Sequence, residues 1–399
     1  MKREAVIVSA VRTPVGKVGG GLSPMQPYEL GALVVQEAVR RAKIKPNEID
    51  DVMLGNVTNK EYSNIARVIS LQAGLPVTIP SITLDRQCGS ALNALANAAI
   101  FIQAGIHDVV VAGGVEMDSR RPWIMERVDK AFQMAAPKFI PPIFAPSNFG
   151  DVHVLQTAEN VAERYGLSRE ECDRFALESQ TKADCAWKEH KFDEELLPIT
   201  IKTKTGEYTV NHDETVRKTT MEALGKLRVV TGRKNGIVTA GNSSPQCDGA
   251  SAMVVMEKEK AKALGCDILG TFRGYASVGV DPAYMGMGPA YAIPKLLKQT
   301  GLTMEDIDLF EINEAFASQS LACIKELGLD TSKLNVNGGA IALGHPMGAT
   351  GGVLTAKMVY EMKRRKARYG VISFCCGGGQ GVAVLLEREE MKCLQTEKN

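Results

Sequence analysis

An internal repeat constrains the fold of this 399-residue chain more than any other feature. Residues 49–52, which follow a helix-like run, resemble residues 307–310, which follow another. Further on, residues 109–114 resemble residues 371–378 at a similar offset of about 260 positions. Both copies alternate strand and helix patterns, so we expect α/β layers in which helices cover mostly parallel sheets. Two such halves would pack about a pseudo-two-fold axis.

The repeat predicts three parts. Residues 1–118 together with 248–270 would form the N-terminal half, and residues 271–393 the C-terminal half. The region 119–247 between them has helix patterns over 157–165 and after a capping box at Ser168, and a strand pattern over 198–210. This region is too long and too structured for a loop, so it is predicted to be an inserted subdomain that covers the halves.

Composition and charge exclude several functional classes. The formal net charge is +1, so nothing indicates a nucleic-acid partner. No run approaches the ~20 apolar residues of a membrane span, and no targeting segment precedes the first strand pattern at residue 5. The nine cysteines contain no C-x-x-C pair, which favours free thiols in a reducing compartment over a metal site. The prediction is a cytoplasmic protein without metal.

Cys88 lies in a sharp turn between a strand pattern over 77–84 and a helix pattern over 90–105. The helix dipole and free N–H groups at a helix start favour a thiolate, and can bring a cysteine pKa from about 8.5 into roughly the 3.5–7.5 range. For a lone cysteine a buried structural thiol is the better interpretation. Small residues around Cys88 and two motifs far downstream favour a nucleophile instead.

The first downstream motif, residues 337–351, is rich in glycine around His345. Histidine is the side chain best suited to take a proton from a thiol near neutral pH. Applying the repeat offset to Cys88 leads to the position beside His345, so the two turns are predicted to meet near the axis. A histidine in a flexible surface loop is the alternative.

The second motif, residues 373–381, ends a strand pattern in Cys375 and Cys376, followed by three glycines. Main-chain N–H groups of such a turn form an anion-binding nest, and hence an oxyanion hole. A glycine-rich turn over buried thiols is the alternative. Asn313 would donate to an oxyanion or orient His345, although a polar cap at a strand-to-helix junction fits it equally well.

Together these segments resemble the thiolase family, the CoA-dependent acyltransferases that cleave or form 3-ketoacyl-CoA. The similarity extends over nearly the whole chain and includes residues 8–14, the Cys88 turn, 157–160, 238–242, 313–316, 344–346 and 375–379. The resemblance implies two duplicated α/β halves in a layered αβαβα arrangement, with an inserted subdomain that binds CoA. It also implies a homodimer or homotetramer, CoA and acetyl-CoA as substrates, and no permanently bound cofactor.

The resemblance also assigns catalytic roles. Cys88 matches the acylated nucleophile, and His345 the base that activates it and a donor in one oxyanion hole. Cys375 matches the second acid/base, and Asn313 the residue that holds a water in the first hole. The main-chain N–H groups of Cys88 and Gly377 match the second hole.

Other positions match the substrate channel. The residues expected to line the pantetheine and acyl channel are His153, Ala240, Ser244 and Phe316. The candidates for holding the CoA phosphates are Arg120, Arg121, Arg217 and Arg228. The chain departs from the common pattern at several positions, among them Val154, Leu155 and Cys247. These departures affect the expected length of the acyl group of the substrate more than the expected type of reaction.

The resulting hypothesis is reversible thiolysis of 3-ketoacyl-CoA and Claisen condensation of acetyl-CoA through an acyl-cysteine, as in an acetyl-CoA C-acetyltransferase. One alternative is a decarboxylating ketoacyl synthase, which does not need a catalytic thiol at position 375. Another is a non-catalytic acyl-CoA-binding relative, although Cys88, His345 and Cys375 are all retained. A thiol redox sensor is the last alternative, and only the adjacent Cys375 and Cys376 suggest it.

Overall fold

The computed structural model describes residues 3–127, 136–150, 152–204 and 206–389. The strands are β1 Ala5–Arg12, β2 Gly16–Lys17, β3 Asp51–Gly55, β4 Ser81–Leu84, β5 Val109–Met117, β6 Ile199–Thr203, β7 Gly206–Val210, β8 Cys247–Glu257, β9 Gly270–Gly279, β10 Leu309–Ile312, β11 Tyr369–Cys376 and β12 Gln380–Glu387. The α-helices are α1 Pro27–Ala42, α2 Ile65–Gln72, α3 Ser90–Gln103, α4 Val154–Tyr165, α5 Arg169–Lys188, α6 Met221–Gly225, α7 Lys258–Ala263, α8 Gly288–Thr300, α9 Ala317–Leu327, α10 Ala340–Leu343 and α11 Met347–Arg365.

Ten strands form one sheet with a repeated order. The order β4-β3-β5-β8-β1 continues into β9-β12-β11-β10, and β2 pairs with β8. At the junction β1 and β9 run antiparallel, with Val6 opposite Thr271. From this junction outward, β8 corresponds to β12, β5 to β11 and β3 to β10. The predicted duplication of α/β halves is therefore confirmed. The division into three parts at the positions given above stays a prediction.

The expectation of mostly parallel strands is wrong. Among the described strand pairs, only β3 with β4, β3 with β5, and β10 with β11 run parallel. Strand β8 pairs antiparallel with β1 and β5, and β12 with β9 and β11. The reason at β12 is local: the three residues between β11 and β12 make a tight turn, whereas a parallel crossover needs a dozen or more residues.

Helices α3 and α11 form a layer between the two sheet halves. They pack against each other, and each contacts strands of both halves. Helices α1 and α2 cover the outer face of the first half and α8 that of the second. The result is the five-layered αβαβα arrangement. The central core includes Leu92, Leu95, Leu354, Met358 and Phe374.

Glycine permits the close approach of the two central helices. A Cβ at Gly351 of α11 would lie 2.1 Å from the main-chain nitrogen of Leu92 in α3, closer than any real contact. The two helices can therefore cross only where one of them lacks a side chain. Because α3 begins just after Cys88 and α11 just after His345, this crossing places both turns in the middle of the molecule.

Element boundaries follow local chemistry. The strand expected over 77–84 spans only Ser81–Leu84, since the N–H of Ile79 donates to the carbonyl of Pro76 at 3.0 Å and makes a turn there. The predicted capping box is present: the Ser168 hydroxyl accepts from the N–H of Glu171 at 3.2 Å. Strands β6 and β7 form a separate two-stranded sheet within the 198–210 region.

None of the helices in the described part of the chain has both the length and the apolar character needed to cross a membrane.

Candidate active site

Cys88 lies one residue before Gly89, the N-cap of α3. Gln87, with a φ of 50°, adopts the left-handed conformation that is uncommon for residues other than glycine, and it turns the chain sharply at this point. The Cys88 side chain is buried, with 8% of its surface exposed. The main-chain N–H groups of Gly377 and of Cys88 itself lower the pKa of its thiol. Main-chain groups from different halves of the chain thus act on one thiol.

Burial decides the charge of this thiol. It raises the pKa of Cys88 to about 11, although the N–H groups of Gly377 and Cys88 lower it in part. The expectation that the helix start alone brings the pKa into the 3.5–7.5 range is therefore wrong, because desolvation outweighs the dipole at this depth. At neutral pH Cys88 is a thiol and needs a base before it can act as a nucleophile.

His345 is buried and neutral. Burial lowers its pKa to about 4. Its Nδ1 lies 2.7 Å from Oγ1 of Thr350, and that hydroxyl donates to the carbonyl of Pro346 at 2.8 Å. Because the hydroxyl proton is used there, Thr350 accepts from Nδ1–H. This network assigns the tautomer, and it leaves Nε2 with a lone pair available to take a proton.

Asn313 connects His345 to the ends of strands β10 and β11. Its Nδ2 lies 3.4 Å from Nε2 of His345, and its main-chain N–H donates to the carbonyl of Ser373 at 3.0 Å. Its Oδ1 is buried and has no hydrogen-bond partner among the described residues. An unpaired buried acceptor of this kind suits an ordered water or a substrate group. No hydrogen bond joins the side chains of Cys88 and His345 in the described part of the chain.

The two adjacent thiols at the end of β11 lie in different surroundings. Cys375 packs in an apolar cluster with Phe316, Val238 and Met285. Burial, then the neighbouring Cys88, raise the pKa of Cys375 well above its usual value. Cys376 instead belongs to the central core and lies against Gly89 at the start of α3. The alternation of side chains along a strand thus directs only Cys375 towards the apolar cluster.

The four positions expected to line the channel lie on neighbouring segments. Phe316 is buried, and Ser244 donates to the carbonyl of Ala315 at 3.1 Å beside it. Ala240 is exposed, and its carbonyl accepts from Arg217 at 3.3 Å. His153 caps α4, which packs against the helix that follows Phe316. Val154 and Leu155 of α4 pack against the same apolar cluster as Cys375.

Of the arginines proposed for the CoA phosphates, Arg217 donates to the carbonyl of Ala240, and Arg228 precedes Val229, which pairs with Thr239 beside Ala240. Arg120 donates to the carbonyls of Pro24 and Met25, while Arg121 and Arg228 are exposed. In the described ranges, His, Cys, Asp and Glu side chains form no group of three or more that could hold a metal ion.

Two residues of the site were not identified from the sequence. Thr350, which sets the His345 tautomer, follows it by five positions in the same glycine-rich run. Glu116 is fully buried near Cys88 and accepts from the N–H of Gly348 at 2.8 Å and from Thr58 Oγ1 at 2.6 Å. Burial raises its pKa to about 7. An acidic residue at the end of the apolar run 109–117 was the available signal for Glu116.

Comparison with known sequences places the chain in a family. Residues 5–259 match the family model described as Thiolase, N-terminal domain, and residues 266–388 that of Thiolase, C-terminal domain. The chain is 45% identical over 392 residues to an acetyl-CoA acetyltransferase of Cupriavidus necator, covering 97% of this chain and all of the relative. It is 44% identical over 400 residues to a 3-ketoacyl-CoA thiolase of Bacillus subtilis, covering 96% and 99%.

Solved structures give the same result. The crystal structure of human mitochondrial 3-ketoacyl-CoA thiolase superposes with a TM-score of 0.91 at 40% identity, covering 97% of this chain and 99% of that one. The crystal structure of the Bacillus anthracis acetyl-CoA acetyltransferase has the same TM-score at 43% identity and the same coverage.

The raised pKa of Cys88 predicts the pH dependence of its alkylation. Below the pKa, the thiolate fraction rises about tenfold per pH unit. The rate constant for iodoacetamide labelling of the Cys88 peptide, followed by mass spectrometry, should therefore keep rising between pH 7 and pH 10. Free glutathione in the same buffers is the control for the reagent. A rate that levels off by pH 7 would instead indicate a stable thiolate–imidazolium pair.

The Thr350 contact predicts a shift in the His345 tautomer. The Thr350→Val side chain has a similar shape but accepts no hydrogen bond, so the Nδ1–H form should lose about 1 kcal/mol, or roughly fivefold in tautomer ratio. Nitrogen-15 NMR of labelled histidine measures the two forms directly. Thr350→Ser, which keeps the hydroxyl, is the control and should retain the wild-type ratio. An unchanged ratio in Thr350→Val would exclude this role.

Proposed function

Because the chain belongs to the thiolase family, we propose that it catalyses the reversible thiolytic cleavage of 3-ketoacyl-CoA and the Claisen condensation of acetyl-CoA, acting as an acetyl-CoA C-acetyltransferase. Because the chain belongs to this family, it is a CoA-dependent acyltransferase. One observation carries the detailed proposal: Cys88 lies at the start of α3, where the N–H groups of Gly377 and Cys88 act on its thiol, and a second thiol, Cys375, is close enough to interact with it.

Acylation begins with proton transfer. Nε2 of His345 takes the proton of the Cys88 thiol, and the sulfur attacks the C3 carbonyl carbon of the substrate. The oxyanion that forms accepts from the N–H groups of Cys88 and Gly377. Each donor of such a hole typically contributes ~2.7–4 kcal/mol to the stability of the transition state. A Cys thioester also conserves the energy of the CoA thioester, which a serine ester would not.

The second oxyanion needs a second set of donors. When the C2–C3 bond breaks, the electrons move onto the thioester oxygen of the departing acetyl-CoA, which forms an enolate. Protonated His345 donates to this oxygen, and a water held by the unpaired Oδ1 of Asn313 supplies another hydrogen bond. Cys375 then gives its proton to C2. The Cys375 thiolate then takes the thiol proton of CoA, whose sulfur attacks the acyl group on Cys88. The Cys88 sulfur leaves and takes back its proton from His345, and the same steps in reverse carry out condensation.

The high pKa of Cys375 suits this role. A thiol kept neutral by burial is a proton donor to a carbanion and takes the proton back in the reverse direction. The presence of this thiol favours thiolysis over the decarboxylating ketoacyl synthase reaction, because decarboxylation forms the carbanion without removal of a proton. The intact set Cys88, His345 and Cys375 likewise favours an enzyme over a non-catalytic acyl-CoA-binding relative.

His153, Ala240, Ser244 and Phe316 are proposed to line the pantetheine and acyl channel. The contacts between their segments support this assignment, since Ser244 bonds beside Phe316 and α4 packs against α9. The substrates are CoA and acyl-CoA, and we propose no permanently bound cofactor. The described cysteines are all free, which supports a reducing compartment such as the cytoplasm.

A homo-oligomer is the proposed assembly. Strand β4 lies at one end of the ten-stranded sheet, where its outer edge has no neighbouring strand within the sheet. Apolar side chains remain exposed around it, with Ile82 at 46% and Val77 at 74%. An unpaired edge with apolar neighbours favours pairing with a second copy, whose own β4 would continue the sheet.

Sedimentation tests this assembly. The wild-type protein should sediment at two or four times the mass of the chain, and Ile82→Glu should shift it to the monomer, because a buried charge opposes pairing. Ile106→Glu, at another exposed apolar position on the loop between α3 and β5, is the matched control and should leave the mass unchanged. A wild-type monomer would exclude the proposal.

Acyl transfer is tested at the two thiols. Incubation with acetyl-CoA should add one acetyl group to the peptide that contains Cys88, and Cys88→Ser should abolish both labelling and thiolysis of acetoacetyl-CoA. Cys375→Ser should still be acetylated at Cys88, but should lose condensation and the exchange of the C2 proton of acetyl-CoA with deuterium by about a hundredfold or more.

Cys376→Ser is the matched control, since Cys376 faces the central core rather than the apolar cluster. It should keep proton exchange. If Cys376→Ser lost exchange while Cys375→Ser kept it, the two thiols would have been assigned wrongly. Acetylation of a different cysteine would exclude Cys88 as the nucleophile.

A further inference from the structure

A buried carboxylate connects the segments that carry Cys88 and His345. Glu116 is the penultimate residue of β5, and its side chain is fully buried. Among the described residues, its two oxygens accept hydrogen bonds only from the segment that follows β3 and from the start of α11. The donors are Asn56 Nδ2, the N–H of Val57, the N–H and Oγ1 of Thr58, and the N–H of Gly348.

One side of this network reaches the strand that leads into the Cys88 turn. That strand, β4, ends at Leu84, whose carbonyl accepts from the N–H of Asn56 at 3.1 Å. The next two residues, Val57 and Thr58, donate their N–H groups to the carboxylate at 3.1 and 2.9 Å. Consecutive residues of one short segment therefore bind the end of β4 and the carboxylate.

The other side of the network reaches the turn that carries His345. The N–H of Gly348, three positions after His345 and in the first turn of α11, donates to the carboxylate at 2.8 Å. An N–H group in the first turn of a helix has no partner within the helix, and a negative charge there interacts favourably with the helix dipole. The carboxylate thus fixes the position at which α11 starts.

Close main-chain contacts surround this connection. A Cβ at Gly55, the last residue of β3, would lie 2.5 Å from the carbonyl oxygen of Gly348 and 2.7 Å from the main-chain nitrogen of Ala91. The end of β3 therefore meets the starts of α11 and α3 at one point, beside the carboxylate. In so closely packed a region, buried N–H groups that lose their acceptor cannot easily find another, and water has little room to replace it.

We propose that Glu116 is a positioning residue whose ionised carboxylate ties the segment bonded to β4 to the start of α11, and thereby sets the placement of His345 relative to the Cys88 thiol. The inference rests on the proposed thiolase function. In that reaction Glu116 makes and breaks no bond, and it acts through the main chain of the two turns. The ionised form is required, because a protonated carboxyl group would bring another donor into a group of donors.

The charge of Glu116 changes within an accessible pH range. Burial raises its pKa to about 7, although hydrogen bonds, first that of the Thr58 side chain, lower it in part. The titratable groups on the surrounding elements are Asp118 on β5, which raises this pKa further, Cys88 at the start of α3, and Asp248 on β8, which acts on Asp118. The carboxylate should therefore lose its charge as the pH falls through about 7.

The rate at which acetyl-CoA acetylates Cys88 measures the step for which His345 must be in place. Between pH 5.5 and pH 8.5 neither Cys88, with a pKa of about 11, nor His345, with a pKa of about 4, changes its charge. The single-turnover rate constant, followed by mass spectrometry, should nevertheless fall by about tenfold between pH 8 and pH 5.5, because Glu116 becomes protonated.

Variants of Thr58 assign this pH dependence to Glu116. Thr58→Val removes the hydroxyl that donates to the carboxylate at 2.6 Å, so it should raise the pKa of Glu116 and move the midpoint of the profile upward by about one pH unit. Thr58→Ser keeps the hydroxyl and should keep the wild-type midpoint. Glu170→Gln, at an exposed position of α5 where Glu170 pairs with Arg174 at 2.6 Å, is the control for loss of a carboxylate and should change neither rate nor midpoint.

Glu116→Gln tests the charge itself. The amide is neutral at every pH and places an NH₂ group among donors, so the acetylation rate constant at pH 8 should fall by about tenfold to a hundredfold. The dependence on pH around 7 should disappear. The concentration of acetyl-CoA that gives half the maximal rate should stay unchanged, because the substitution alters the placement of His345 rather than the binding of substrate.

Each outcome decides one of the two proposals. If the wild-type rate constant is level from pH 5.5 to pH 8.5, or if Thr58→Val keeps the wild-type midpoint, the positioning role of Glu116 is wrong and the thiolase function stands. The same holds if Glu116→Gln keeps the wild-type rate and profile, or changes only the half-saturating concentration. If Glu116→Gln does not fold, the Thr58 variants decide alone. A wild-type protein that acetyl-CoA does not acetylate at any cysteine overturns the proposed function itself.

Discussion

The packing of α3 against α11 between the two sheet halves is the constraint on which the site depends. The main chain of α11 approaches its neighbours so closely that side chains are excluded at several points. A Cβ at Gly351 would lie 2.1 Å from Leu92 N, and one at Gly114 would lie 1.9 Å from the carbonyl oxygen of Gly348. Because Gly351 and Leu92 lie in the first two turns of α11 and α3, their contact brings the starts of the two helices close together, and with them the turns that carry Cys88 and His345.

Burial keeps the acid–base groups of this site uncharged. It raises the pKa of Cys88 to about 11 and that of Cys375 well above its usual value, and it lowers the pKa of His345 to about 4. A stored thiolate–imidazolium pair is thus disfavoured in the resting state, and charge develops only during the reaction. In the proposed mechanism the N–H groups of Cys88 and Gly377 and the Nε2 of His345 stabilise this charge, and burial strengthens their effect because little water screens them.

The surroundings of the nucleophile differ on its two sides. Phe316 and Cys375 belong to an apolar cluster, which suits the proposed proton transfer between carbon and sulfur because such a transfer needs exclusion of water. On the other side, Arg86 and Gln87 of the turn before Cys88 line a more polar cavity, whose wall also contains Ile143 and Phe144.

The sequence by itself determined the duplicated α/β fold and the helices α3 and α11, and it singled out Cys88, His345 and Cys375 as candidates, because periodicity, glycine-rich turns and reactive residue types are local signals. Tertiary structure alone decided the antiparallel pairing of β8, the charge state of Cys88, and the role of Thr350 in setting the His345 tautomer. Those properties depend on which distant segments meet and how much water they exclude. Desolvation and hydrogen-bond geometry are set by the packed molecule, so no pattern along the chain could reveal them.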